Sequence, residues 1–461
     1  MSDLWGGRFG DRMADEMRRF SSSYPVDRRL VRYDLLGSMA HAHALHDAGV
    51  LDREGLDSLL QGLGELLAEV DAGTFDDAAT GELPEDIHSA IESRLVEKCG
   101  ETGKRLHAGR SRNDQVVTDM LLWLRDQSHS LEEALRGLQG VLVAVADEHQ
   151  DLVVPSYTHL QRAQPVSLAH LLMAHFEALD RDIGRVRDAR HRADRCPLGS
   201  GAGTGTTIAL DRRVTAARLG FGRVAGNSID AVSDRDWAVE FAAACALIMV
   251  HLSRLAEELI LWSSEEFGAA RIGDAYCTGS SMMPQKRNPD AAELVRGRSA
   301  RVVGSLNTLL VLLKGLPPGY NRDLQEDKEA LFDAADTTRT ALEIMASVLA
   351  TTEFGEPRSA APDFMAATDL AEELVRRGVP FREAHQRVGR LVHHCEAEGR
   401  GLSQATEVEL ALAGVAGLDP DGFSAAGSVA AKRSQGSTAP REVTRAVAAA
   451  KHLLHLAGES I

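Results

Sequence analysis

The chain has 461 residues, of which 44% are apolar, 26% charged and only 5% aromatic, and its formal net charge is −17. At about 100 to 200 residues per domain this is too long for one ordinary core, and three domains are expected, over 1–109, 110–357 and 358–461. The acidic balance speaks against a nucleic-acid partner, since phosphate binding needs an excess of Lys and Arg on some face, and no apolar run reaches the roughly 18 residues of a membrane span.

Taken in chain order, the amino terminus MSDLWGGRFG carries charges and no apolar h-region, so no secretory signal is expected. His41, His43 and His46 form a local cluster, and positions three or four apart share a helix face, but no acidic or cysteine ligand completes a metal site and a solvated helix face is the preferred reading. The acidic, Gly-containing stretch Asp71 to Asp86 breaks the pattern. LHAGRSRNDQVVTD (Leu106 to Asp119) then sets Arg110, Ser111, Arg112, Asn113, Asp114 and Gln115 at the start of a long helix, where free N–H groups and the positive dipole end favour an anion. Polar helix starts also serve as simple caps; two arginines and an asparagine are more than a cap needs.

Heptad-spaced apolar residues follow. From Val117 they run Leu121, Leu124 and, past a break at Ser128, Leu131, Leu135, Leu138, Leu142 and Val145. A second seam holds Phe241, Cys245, Ile248, Leu252, Leu255, Leu259 and Trp262, and a third Val303, Leu306, Leu310 and Leu313. Apolar residues beside the seams, such as Leu122, Val141, Leu247, Val250 and Ile260, predict a bundle with several neighbours and self-association. With no strand alternation and no internal repeat, the fold class is all-α.

Between the seams lie the segments with chemistry. PSYTHLQRAQP (Pro155 to Pro165) puts Thr158, His159 and Gln161 in a loop or short turn before a helix that follows Ser167; a lone His is usually structural, yet it titrates nearest neutrality. Gly199 to Gly205 lacks the Lys-Ser/Thr of a phosphate loop and the third Gly of the dinucleotide fingerprint, so it reads as an inter-helix loop. In GSSMMPQKRNPD (Gly279 to Asp290) a flexible Gly-Ser-Ser turn precedes Lys286 and the Asn288-Pro289 start of another helix, with Glu293 one turn on, placed to polarise an imidazole brought from elsewhere. FGEPRSAAPD (Phe354 to Asp363) has the look of a domain boundary. Five scattered cysteines without a C-x-x-C pair indicate neither a disulfide framework nor zinc, and a reducing cytoplasm.

The string GSSMMPQKRNPD closely resembles the GSSxMPxKxNP signature of the fumarase/aspartase superfamily, and Gln285 before Lys286 is similar to its argininosuccinate lyase branch. LWGGRF at 4–9, EDIHSAIE at 85–92, HAGRSRNDQVVTD at 107–119, YTHLQRAQP at 157–165, NSIDAVSDRDWAVEF at 227–241 and YNRDLQEDKE at 320–329 resemble that family in the same order. The resemblance implies a three-domain fold whose long central helices form one bundle in a homotetramer, with each active site shared between subunits. It implies an acid/base pair of His159 and Ser280, Glu293 as partner of His159, and Lys286 as charge stabiliser. It also implies substrate contacts from Ser23, Arg112, Asn113, Thr158, Tyr320, Gln325 and Lys328.

The implied reaction is reversible elimination of argininosuccinate to arginine and fumarate, in arginine biosynthesis, with no metal or organic cofactor. Departures from the family pattern are Arg287 for Lys, Ser156 for Gly, Gly203-Thr204 for an apolar pair and Ser437 for Gly; none removes an implied catalytic or substrate-contacting residue. Two other readings are a lyase for adenylosuccinate or aspartate, which would share the acid/base pair, and a structural protein of the lens-crystallin type. Gln285 and YNRDLQEDKE speak against the first, and retention of His159, Ser280, Lys286 and Glu293 against the second.

Overall fold

A computed structural model describes residues 13–75, 84–358, 364–417 and 424–458. LWGGRF and parts of the breaks at Asp71–Asp86 and Phe354–Asp363 lie outside them. The chain is 68% helical and 5% strand, the all-α class that the seams require. It forms two compact units, each assembled from three stretches: Met1–Leu131, Gly184–Ala246 and Arg301–Thr337 make the first, and Glu132–Ile183, Leu247–Ala300 and Thr338–Ile461 the second.

The elements in order are α1 (Asp15–Ser21), α2 (Tyr24–Asp27), α3 (Val31–Asp47), α4 (Arg53–Asp71), α5 (Ile87–Cys99), α6 (Arg112–Glu148), β1 (Val153–Thr158), β2 (Gln161–Ser167), α7 (Leu168–Ala193), α8 (Arg212–Arg218), α9 (Ser228–Ser233) and α10 (Asp236–Ser263). After these come β3 (Ala270–Arg271), β4 (Thr278–Gly279), β5 (Arg287–Asn288), α11 (Asp290–Leu313), α12 (Asp327–Ala350), β6 (Glu353–Phe354), α13 (Ala367–Arg376), α14 (Phe381–Ala397), α15 (Glu407–Leu412), α16 (Ala425–Ala431) and α17 (Pro440–Gly458).

Helix α6 begins on a reciprocal cap. Ser111 Oγ accepts from the Asn113 N–H and Asp114 Oδ1 accepts from the Ser111 N–H, satisfying two donors that a helix start leaves free. Its seam residues Leu121, Leu124, Leu131, Leu135, Leu138 and Leu142 are all buried, each stabilising by about 1.5–3 kcal/mol relative to exposure. The expected break at Ser128 does not exist, because the buried hydroxyl donates to the Leu124 carbonyl one turn back and the helix runs on. In α10 the seam from Phe241 to Trp262 is likewise buried, while Leu247 and Val250 stay exposed. By length and composition α10 would also cross a membrane.

The third seam behaves differently. Val303 and Leu310 are exposed, and α11 turns Ala292, Val295, Val302 and Leu309 inward instead. The helix carries two apolar stripes, and periodicity cannot say which of them meets the chain's own core.

Within the first unit, α3 presents His41 to the interior, not to solvent: its ring is 1% exposed and its Nε2 lies 2.9 Å from the Ala108 carbonyl. His43 and His46 are half-buried, and His46 Nδ1 meets the Leu51 carbonyl at 3.0 Å. The solvated face is therefore corrected to a buried and capped one. Burial, with Arg110 alongside, pushes the His41 imidazole down to about 3, and the same two causes push His107 down to about 4.

Both rings are neutral in the fold and charged in the unfolded chain below about pH 6.5, so unfolding takes up protons and stability falls as pH drops from 6.5 toward 4. Asp119, whose carboxyl burial raises well above the usual carboxylate range, works in the opposite direction. His41→Gln keeps a donor for the Ala108 carbonyl and should reduce the pH slope of the unfolding free energy by about 1.4 kcal/mol per pH unit in that window. Urea titrations at pH 6, 5 and 4 measure this, and an unchanged slope would remove His41 as the source.

Candidate active site

The first unit holds Ser23, Arg112, Asn113, Tyr320, Gln325 and Lys328. The Ser23 hydroxyl donates to Asp27 Oδ2 at 2.6 Å, and its N–H donates to the Glu85 carbonyl at 2.9 Å. Arg322 and Gln325 both donate to the Ser21 carbonyl, at 2.9 and 3.1 Å, and Arg322 also reaches Glu85 Oε1. Ser23 and Gln325 are thus tied to one short stretch of backbone. Asp27 is raised by burial, only partly offset by His88 and the Ser23 hydroxyl.

Lys328 is 4% exposed, and among the described residues its ammonium makes two long contacts, to the Gln325 carbonyl and Asp327 Oδ1, each at 3.3 Å. Asp327 is fully buried as well; burial alone would raise it, but Lys328 and Arg235 hold its carboxyl below the usual range, with Arg235 Nε donating at 2.5 Å. Asp27 and Asp234 also lie within electrostatic reach, of Lys328 and Arg235 respectively, and the Tyr320 hydroxyl is raised by burial.

Arg112 is fixed by Glu92 at 3.0 Å, Asp86 at 3.5 Å and Gln115 at 3.1 Å. Asn113 Nδ2 donates to the Ala202 carbonyl at 3.3 Å. The glycine stretch is more than a linker. The N–H groups of Gly199 and Gly201 form the anion cradle that such sequences offer, and Asp114 Oδ2 fills it, at 2.9 and 2.8 Å. A phosphate has no place there.

Beneath lies a buried group that the sequence reading did not single out. His88 Nδ1 and Asp34 Oδ2 are hydrogen bonded, Gln115 and Ser38 also donate to Asp34, and Asp119 Oδ2 sits 3.6 Å from His88 with no hydrogen-bond partner. Against the cost of burial, His88 draws the Asp34 carboxyl down to about 2, whereas burial and then Asp34 push Asp119 well up. The ligand-type atoms of Asp34, His88 and Asp119 lie within 4.8 Å of one another, but a direct His88–Asp34 hydrogen bond leaves no room for an ion between them. The group joins α3, α5 and α6.

The second unit holds Thr158, His159, Ser280, Lys286 and Glu293. The segment between Pro155 and Pro165 is a β-hairpin, not a loop. The two prolines pair with each other across it, which a two-stranded ribbon permits because both its strands are edges. The register shifts between Pro155 and Tyr157, and the Ser156 hydroxyl spans this bulge, donating to the Gln164 carbonyl at 2.7 Å and accepting the Gln164 N–H at 3.1 Å. At the tip, His159 and Leu160 have φ of 55° and 56°, the only positive values at described non-glycine residues. Two left-handed residues between paired Thr158 and Gln161 make a type I′ turn, with His159 exposed at its first position.

Ser280 opens a loop whose stem is the β4–β5 pair, Thr278 with Asn288 and Gly279 with Arg287. Arg287 anchors the stem through the Ile272 carbonyl at 2.8 Å and Asp274. Ser280 Oγ accepts two backbone N–H groups, from Met282 at 3.3 Å and Met283 at 3.0 Å. Within one chain His159 contacts neither Ser280 nor Glu293 among the described residues, and the Glu293 carboxylate lies 3.9 Å from Arg296.

Residues 7–304 match the lyase family, and residues 364–427 match the argininosuccinate lyase C-terminal family. The argininosuccinate lyase of Symbiobacterium thermophilum is 50% identical over 98% of this chain and 99% of its own length, and that of Moorella thermoacetica 50% over 98% of each. The chain belongs to the argininosuccinate lyase family. Argininosuccinate lyases are carbon–nitrogen lyases. Among solved structures, EDDS lyase in complex with formate superposes with a TM-score of 0.81 at 30% identity, over 93% of this chain and 87% of that one. The class II fumarase of Schistosoma mansoni shares the fold, at 0.73 and 16%, over 89% and 91%.

Asp114→Ala should orphan three N–H groups at once, those of Ser111, Gly199 and Gly201, and lower the unfolding free energy by about 3 kcal/mol or more at 1–3 kcal/mol for each buried unpaired group. Denaturant titration checks it. A loss under about 1 kcal/mol would mean that water replaces the carboxylate.

Proposed function

We propose that this chain is an argininosuccinate lyase enzyme of arginine biosynthesis, splitting argininosuccinate reversibly into arginine and fumarate. The observation that carries the mechanism is the pair of N–H donors on Ser280 Oγ. A serine hydroxyl is a poor base unless its anion is stabilised, and two preorganised N–H dipoles with Lys286 in the same loop supply that stabilisation. Ser280 takes the proton from the succinyl carbon next to a carboxylate, and the carbanion's charge delocalises into that carboxylate as an aci dianion. His159, polarised by Glu293, returns a proton to the departing guanidino nitrogen. Every step is a proton transfer or a C–N cleavage, and none calls for a metal or organic cofactor.

Lys286 meets the developing charge, and Ser23, Arg112, Asn113, Thr158, Tyr320, Gln325 and Lys328 bind the substrate. The buried ammonium of Lys328, held by two contacts of 3.3 Å, supports a role in holding a substrate carboxylate. The organisation into 1–109, 110–357 and 358–461 is part of the proposal; a buried cluster running from Ala366 to Val415 supports a separate core in the last of these. The exposed apolar side chains Leu247, Val250, Leu294, Val303, Leu310 and Val311 on the long helices support a cytoplasmic homotetramer built on those helices. Exposure of His159 and Glu293 without a mutual contact supports active sites shared between subunits.

Fumarate released by the purified protein, followed by its ultraviolet absorbance with a chelator present, should appear from argininosuccinate and not from adenylosuccinate or aspartate. Release from another substrate alone would move the specificity, and silence on all three would favour a structural, crystallin-like role. Ser280→Ala should leave the oligomer intact and cut turnover roughly 100-fold or more, the scale of a lost positioned base; near-normal turnover would remove Ser280 from the chemistry. Subunits carrying His159→Gln and Ser280→Ala, each inactive alone, should recover part of the activity after subunit exchange. No recovery after confirmed exchange would count against shared sites.

A further inference from the structure

Met282 is 86% exposed, the most exposed methionine among the described residues; Met17 and Met283 are 44% and 40% exposed, and Met120, Met173, Met249 and Met345 are buried. Its backbone N–H, with that of Met283, donates to Ser280 Oγ. A soft, oxidisable thioether therefore stands in water on the short loop that holds the proposed base. We propose that Met282 is a peroxide-sensitive modification site, and that its conversion to the sulfoxide disables the Ser280 loop. The inference rests on the reading of Ser280 as a catalytic group.

The thiols are poor competitors for the same oxidant. The thiolate is the reactive form, and Cys196, buried, is pushed up to about 11 by that burial, while burial also raises Cys277 and Cys395. Cys245 is buried, and the Cys99 thiol donates to the Ser58 carbonyl. A thioether has no proton to lose, so its reactivity follows exposure alone.

The step is a two-electron oxidation with peroxide as co-reactant. The sulfur lone pair attacks one peroxide oxygen, the O–O bond breaks as the S–O bond forms, and the proton on the transferred oxygen passes to the departing hydroxide, which leaves as water. Sulfur is oxidised and peroxide reduced. An apolar, flexible side chain becomes a polar, chiral one with a strong acceptor oxygen. Lid loops of this kind act by excluding water as they close, and an apolar Met282 can be taken out of water by closure whereas a sulfoxide resists it unless it finds a donor.

The purified full-length enzyme is treated with hydrogen peroxide, and samples are split between turnover and peptide mass analysis. One added oxygen on the Met282 peptide should grow in with the loss of activity, to about a tenth of the starting rate or less, and methionine sulfoxide reductase should restore it. The inactivation rate should be the same at pH 6 and pH 8, unlike that of a thiol, which quickens as thiolate forms. Met282→Leu, measured against its own untreated rate, should resist.

Full oxidation at Met282 with turnover intact would overturn the proposal, as would an unmodified Met282 in inactivated enzyme or a Met282→Leu variant lost as fast as the parent. Sensitivity that disappears only on adding Met283→Leu would likewise overturn it, by moving the site to Met283. Ser280→Ala, assayed in parallel, separates the two readings: if it is inactive while oxidised enzyme works, only the modification site fails.

Discussion

Three backbone N–H groups converge on the buried carboxylate of Asp114, and the geometry of the first unit depends on them. One comes from Ser111 and fixes where α6 begins; the other two come from Gly199 and Gly201 and hold a distant loop against that beginning. Because the anion is supplied by the chain itself, the positive end of a 37-residue helix is already neutralised at its axis. Arg112 and Asn113, the next residues around the helix, then point from a start that cannot shift without orphaning a buried donor. Arg112 spends part of its charge on Glu92 and Asp86, so what it offers a ligand is direction more than net charge.

The second unit uses backbone strain to a similar end. A type I′ turn favours Asn-Gly, yet here it is made by His159 and Leu160, each at a conformation costing of order 1 kcal/mol for an ordinary side chain. Such a turn persists only when its stem is over-determined. The stem supplies that through buried Val154, Val166 and Ser167, the Ser167 N–H bonded to Thr438 Oγ1 at 2.8 Å, and the Ser156 hydroxyl spanning the bulge. A two-residue turn has little backbone freedom, so the direction in which the side chain leaves its first position is set by the turn itself. The Ser280 loop contrasts with it: a two-residue stem, side-chain latches at Arg287, and a tip in water. One proposed reacting group thus stands on a tight turn, and the other on a loop held by a two-residue stem.

The sequence already showed the helices, because seams such as Leu131-Leu135-Leu138-Leu142 repeat a period that only a helix satisfies. It showed less wherever a residue's meaning depends on what comes to meet it. Pro155 and Pro165 read as breakers because nothing in the string says that they would face each other on an edge-only ribbon. His41 read as solvated because its acceptor, the Ala108 carbonyl, lies 67 positions away. Gly199 to Gly205 read as a spacer because the carboxylate that fills it sits more than 80 residues earlier. Asp34, His88 and Asp119 carry no spacing signal, and only the packing of α3, α5 and α6 brings them together. The candidate site was legible as residue types, through GSSMMPQKRNPD and YTHLQRAQP, but the type I′ turn under His159 and the two amides on Ser280 are backbone facts that no side-chain pattern records.

An acidic protein that handles a tricarboxylate has to solve its electrostatics locally, since its long-range field at a net charge of −17 repels the substrate. Cations exposed on the surface would be screened within about 8 Å at physiological ionic strength and would serve mainly as steering. The first unit instead buries Lys328 and Arg235 beside Asp327, with Asp27 and Asp234 also in reach, and the Lys328 ammonium makes long contacts to the Gln325 carbonyl and Asp327. Taking such charges out of water is costly and is offset only by close, well-satisfied partners, and both contacts of the Lys328 ammonium are long, at 3.3 Å. On the proposed reading, a substrate carboxylate that reached Lys328 would add a close partner, and the desolvation already spent in folding would not have to be spent again on binding. The same low-dielectric surroundings that make the empty state costly make that contact strong, which is how local burial overcomes an unfavourable global charge.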